Sequence, residues 1–162
     1  MDVNLEVGLK YQAQMMVNSQ DTAKQYGSGD LEVYATPAMI ALMENAATNC
    51  VKGQLPEGFT TVGIEINVKH IRATPVGVKV KAEAILEKVE GKRLFFKVEA
   101  YDDLGKIGEG VNIRYLVNAE KFVGKTTRKW EAEERSRREK QLKEKREELK
   151  DKRGIILKYL IH

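Results

Sequence analysis

Residues 36–52 limit the possible folds of this chain more than any other segment. Thr36 and Pro37 open the run: a hydroxyl suited to capping, then a proline where no N–H is needed. Ala38-Met39-Ile40-Ala41-Leu42-Met43 and Ala46-Ala47 follow, and Gly53 is the expected stop. A helix that is apolar on nearly every side belongs inside a core, not on a surface.

The flanking segments supply what would cover it. Tyr11, Ala13, Met15 and Val17 alternate with polar residues, which predicts a first strand over 10–18. Residues 18–33 are polar and carry Gly27-Ser28-Gly29-Asp30, so a loop or loose helical turn is expected there. After the helix, period-two alternation predicts strands over 60–70, 78–90, 93–102 and 106–118. Val62, Ile64, Ile66 and Val68 share one parity in the first of these, with His70 next in the series. In the last, Ile107, Val111, Ile113, Tyr115 and Val117 share one, which sets Arg114 on the opposite face. Alternation with one polar face indicates an antiparallel sheet covered on one side. The economical arrangement is α+β: a curved antiparallel sheet wrapped around one central helix, the hotdog fold.

This domain is expected over 1–128, with a charged helical extension over 129–162. Residues 1–128 carry 16 Lys/Arg and 16 Asp/Glu, whereas 129–153 carry 11 and 8. The basic excess therefore belongs to the extension, and the neutral domain argues against nucleic acid as its partner. Opposite charges four apart, such as Glu131/Arg135 and Glu139/Lys143, support a solvated helix there. Residues 155–161, Ile-Ile-Leu-Lys-Tyr-Leu-Ile, are expected to dock on this domain or on a partner chain. A single cysteine, Cys50, excludes an intrachain disulfide and fits a reducing cytoplasm. No signal peptide is expected from Met-Asp-Val-Asn-Leu-Glu, and no apolar run is long enough to span a membrane, so no membrane partner is expected.

Three residues attract chemical attention. Glu44 lies mid-helix among apolar neighbours, where loss of hydration would favour its neutral form; the alternative is that it reaches water at the rim. His70 continues the inward parity of its strand, as an acid–base group or as a hydrogen-bonded core histidine. Thr36 offers a hydroxyl at the positive end of a helix, although an N-cap threonine needs no further role. Hydroxyl, carboxylate and imidazole together suit acyl transfer. In one straight helix, Thr36 and Glu44 stand about 12 Å apart along the axis. They therefore flank a bound group, or a second copy supplies one of them. One internal histidine and no cysteine cluster are too few for a usual zinc site.

Residues 34–47, Tyr-Ala-Thr-Pro-Ala-Met-Ile-Ala-Leu-Met-Glu-Asn-Ala-Ala, and 61–80, Thr-Val-Gly-Ile-Glu-Ile-Asn-Val-Lys-His-Ile-Arg-Ala-Thr-Pro-Val-Gly-Val-Lys-Val, resemble the fluoroacetyl-CoA thioesterase-like branch of the hotdog superfamily. The similarity covers about residues 8–128. It implies that Thr36, Glu44 and His70 are the catalytic group, with Gly63 near the acyl group and Arg114 as an active-site arginine. It also implies a homodimer with sites between subunits, acting on acyl-CoA with no cofactor beyond the CoA of the substrate. The resemblance does not carry the acyl group: the loop before Thr36 has no aromatic residue except Tyr26 and Tyr34. The expected reaction is hydrolysis of a thioester to a carboxylic acid and free CoA. The rival reading is a non-hydrolytic acyl-CoA-binding or regulatory protein whose charged tail binds a partner.

Overall fold

The computed structural model describes residues 3–161. In chain order it contains β1 (Lys10–Met16), a 3-10 turn (Ser19–Asp21), α1 (Ala23–Tyr26), α2 (Thr36–Lys52), β2 (Phe59–His70), β3 (Lys79–Glu90), β4 (Arg93–Asp102), β5 (Gly105–Asn118) and α3 (Ala119–Leu160). The five strands form one antiparallel sheet in the order β1-β3-β4-β5-β2. Two compact units result, Met1–Ala119 and Glu120–His162.

In the first unit α2 packs on the sheet. Its alanines, Ala38, Ala46 and Ala47, admit close approach, and Met39, Leu42 and Met43 fill the remaining space. Opposite them lie Val80, Ala82, Ala84 and Leu86 of β3, and Leu94, Phe96 and Val98 of β4, all buried. Full burial of each large apolar side chain here contributes about 1.5–3 kcal/mol. The inward parity of β3 and β4 is the one their alternation predicts.

On β2 and β5 the expected parity needs correction. The register shifts between Gly63 and Glu65, so Ile64 is an extra residue on β2. Before this bulge Thr61 and Gly63 pair with Leu116 and Arg114; after it Ile66, Val68 and His70 pair with Asn112, Gly110 and Gly108. Directly paired residues share a face. The helix-facing row of β5 is therefore Gly108, Gly110, Asn112, Arg114 and Leu116. Val111 and Tyr115, expected inside, lie on the outer face at 42% and 37% exposure. Ile64, expected inside, is likewise exposed. His70 keeps its expected inward direction because the bulge precedes it.

The second unit consists of α3, whose first residue, Ala119, lies upstream of residue 129. Threonines and Gly124 at its start weaken the periodic signal there. None of its residues is buried, and residues 155–161 are exposed within this chain. Among the described residues no helix is long and apolar enough to cross a membrane.

Candidate active site

Thr36 is the first residue of α2, not its cap. Ala35 occupies the N-cap and has no capping side chain. The Thr36 hydroxyl is thereby free for another partner, and it lies 2.8 Å from His70 Nδ1. Two backbone bonds hold this entry to the helix: Tyr34 N donates to Thr74 O and Ala35 N donates to Asp21 O, both at 2.8 Å. The Tyr34 ring meets the imidazole edge-on, 6.5 Å between centroids.

Burial pulls the His70 imidazole below its ordinary value, opposed by the nearby Arg72 backbone. The ring is therefore neutral at pH 7. If Nδ1 accepts the Thr36 proton, Nε2 carries the ring hydrogen, and Nε2 is buried with no hydrogen-bond partner among the described residues. A cleft of about 300 Å³ adjoins the pair, lined by Ser28, Val33, Tyr34, Thr36, His70 and Arg72 among others. The loop over 18–33 thus forms one wall of it.

Glu44 belongs to a different cluster. Its Oε2 accepts from Arg114 NH1 at 3.0 Å, and its side chain is 38% exposed against 7% for Arg114. Of the two readings open for Glu44, the one in which it reaches water at the rim holds, and it has a cationic partner. Arg114 is held tightly. Its Nε donates to Thr61 Oγ1 at 2.8 Å, NH2 donates to Thr61 O at 3.1 Å, and NH1 also donates to Asn112 Oδ1 at 3.3 Å. Asn112 is fully buried and donates to Glu65 O at 2.9 Å, beside the β2 bulge.

Gly63 completes this cluster by what it lacks. A Cβ there would stand 2.5 Å from Glu44 Oε2 and 3.2 Å from Arg114 NH1. Of the five residues singled out in the sequence, the fold thus joins Thr36 to His70, and Glu44 to Arg114 and Gly63. No hydrogen bond or ion pair links the two groups among the described residues. No group of three or more His, Cys, Asp or Glu residues that could hold a metal occurs among them either.

A family model described as fluoroacetyl-CoA-specific thioesterase matches residues 17–120. The chain belongs to this family. Within the thioesterase family, the fluoroacetyl-CoA thioesterase of Streptantibioticus cattleyicolor is 40% identical over 98 residues, 60% of this chain and 70% of that protein. A solved structure of a fluoroacetyl-CoA thioesterase superposes with a TM-score of 0.73 at 33% identity, covering 78% of this chain and 98% of that one. A thioesterase superfamily member from Thermus thermophilus gives 0.72 at 28% identity, over 80% and 98% of the two chains. The family match ends at residue 120, so nearly all of α3 lies outside it.

Thr61 and Asn112 were not singled out in the sequence, although they fix the arginine of this thioesterase. For Asn112 the available signal is the helix-facing row of β5. Gly108 and Gly110 leave room beside Met39 and the Asn67 carbonyl, and polar residues continue the same parity. Gly63→Ala tests how closely the Glu44 carboxylate must be placed. The obstructing atom is the end of a flexible side chain, so the variant should fold while the carboxylate shifts. The expected result is a turnover lower by about 100-fold, the cost of misplacing a reacting group by about 1 Å. Thiol release and thermal melting on one sample check this: near-native turnover with an unchanged melting temperature would contradict it.

Proposed function

We propose that this chain hydrolyses acyl-CoA to a carboxylic acid and free CoA at a site that two copies complete together. Membership of a thioesterase family favours hydrolysis over the non-hydrolytic reading. The observation that carries the mechanism is the 2.8 Å bond between Thr36 and His70. A neutral imidazole at that distance accepts the hydroxyl proton as Thr36 Oγ attacks the thioester carbonyl. The carbonyl oxygen becomes an oxyanion, and the amides at the start of α2 lie at the positive end of the helix, where they favour that charge. When the C–S bond breaks, His70 returns the proton to the CoA sulfur. A water deprotonated by a carboxylate then attacks the acyl-threonine ester; as the ester bond breaks, that proton passes to Thr36 Oγ, which releases the acid and restores both the hydroxyl and the carboxylate.

Glu44 is the carboxylate for that second step, but it sits with Arg114, apart from the Thr36–His70 pair. A two-fold homodimer satisfies both facts, with Glu44 of one copy serving Thr36 and His70 of the other. CoA enters as part of the substrate, and one buried thiol, Cys50, fits a reducing cytoplasm.

Thiol release from short- and medium-chain acyl-CoAs tests hydrolysis itself; no release from any of them would end the reading. Complementation tests the shared site. Thr36→Ala and Glu44→Ala should each be nearly inactive alone. Unfolded together and refolded, they form heterodimers in which one of two sites is intact, so about a quarter of native activity should return. If each chain holds a whole site, the mixture remains inactive.

A further inference from the structure

No step of the proposed reaction uses α3, which begins where the family match ends. Its side chains are sorted around the axis. At about 100° per residue, Leu142, Leu149, Ile156 and Leu160 fall in one narrow stripe. All four are exposed, at 58%, 53%, 58% and 76%. Arg135, Lys145, Arg146, Lys152 and Arg153 flank that stripe on both sides, and Arg138, paired with Glu134, falls within it. From residue 135 onward this arc of about 120° contains no carboxylate. Glu144, Glu147, Glu148 and Asp151 project on the other side of the helix.

We propose that α3 lies on an anionic lipid surface through this face. The cationic shoulders match lipid phosphates and carboxylates, and the stripe between them matches the acyl boundary. Nucleic acid would meet the charges but gives the leucines nothing to bury against. A groove on another protein would cover the stripe, yet it leaves the last turns unexplained. There Ile155, Leu157, Tyr159 and Ile161 point away from the stripe and are 56%, 59%, 83% and 77% exposed. An apolar phase covers all of these directions; a single groove covers one. The expectation of no membrane partner rested on the absence of a spanning run, and a helix lying in the interface needs none.

The test is flotation of the full chain with vesicles of phosphatidylcholine, alone or with about 30% phosphatidylserine. Flotation is expected only with the anionic vesicles, and salt should reduce it. Lys145→Gln with Lys152→Gln should lower partitioning by about 25-fold. Leu149→Glu with Ile156→Glu should abolish it, and because both sites are exposed, circular dichroism should stay native. Absence of binding to anionic vesicles, or equal binding to neutral ones, overturns the proposal. So does binding that survives the Leu149/Ile156 pair, or tighter binding to a duplex oligonucleotide than to the vesicles. None of these readouts depends on thioester hydrolysis.

Discussion

His70→Ala is expected to lower kcat/KM for acyl-CoA hydrolysis by about 10²–10⁴-fold, the usual contribution of a positioned acid–base group. The Thr36 hydroxyl would lose the imidazole that it meets at 2.8 Å, and at neutral pH an unassisted threonine is a poor nucleophile. The fold should persist, because His70 lies on an edge strand facing a cleft. The native enzyme should show the same dependence as a function of pH. Burial holds the His70 imidazole below its ordinary value of 6.5, and only the neutral ring accepts a proton. Activity should therefore persist as pH falls through 6.5 and drop only below it, as His70 becomes protonated. A pH profile of kcat/KM checks the direction: an acid limb centred above 6.5 contradicts the assignment. For the variant, kcat/KM within about threefold of native would remove His70 from the mechanism.

Arg114→Leu is expected to reduce both stability and turnover. The guanidinium supplies donors to Thr61 Oγ1, Thr61 O, Asn112 Oδ1 and Glu44 Oε2 from a position only 6% exposed. Its removal leaves the buried acceptors of Thr61 and Asn112 unmatched, at about 1–3 kcal/mol each. Glu44 adds less, since its partly exposed side chain can rehydrate. A total near 3 kcal/mol corresponds to a melting temperature lower by about 10 °C in a domain of this size. Turnover should fall at temperatures well below that melt, because the carboxylate loses the ion pair that orients it. Arg114→Lys provides the comparison: it keeps the charge but not the forked geometry, so it should recover part of the stability and little of the turnover. A melting temperature unchanged by Arg114→Leu would show that the network contributes nothing to folding.

Much of the fold follows from alternation and from one apolar helix. β3, β4 and α2 are the clearest parts, because most of their inward positions are apolar and buried. The two strands that form the site are where alternation misleads. On β5 the inward row is Gly108, Gly110, Asn112, Arg114 and Leu116, and Val111 and Tyr115, of the other parity, face outward. A catalytic site needs space and charge where a core would place methyl groups, so hydrophobic periodicity selects the wrong face there. The bulge at Ile64 is invisible to a fixed period for a related reason: one extra residue reverses the phase of everything after it.

The spacing of Thr36, Glu44 and His70 indicates the chemistry but not its division. The axial separation along α2 shows that Thr36 and Glu44 cannot touch, and the fold gives each its own partner, His70 and Arg114. Ala35 at the N-cap is a detail that residue types do not reveal, since threonine is much the better cap. Its consequence is chemical: the hydroxyl that capping would have occupied is left for the imidazole.

The bulge on β2 also constrains how this enzyme can vary. One strand presents Gly63 to the Glu44 carboxylate and, seven residues on, His70 to Thr36. Side chains along that stretch can change, but added residues cannot be absorbed. Gain of a single residue between 64 and 69 would turn the imidazole to the outer face while leaving most of the strand pairing intact, whereas loss of one would heal the bulge and keep His70 opposite Gly108. Insertions should therefore accumulate in the 18–33 loop and be excluded from this edge.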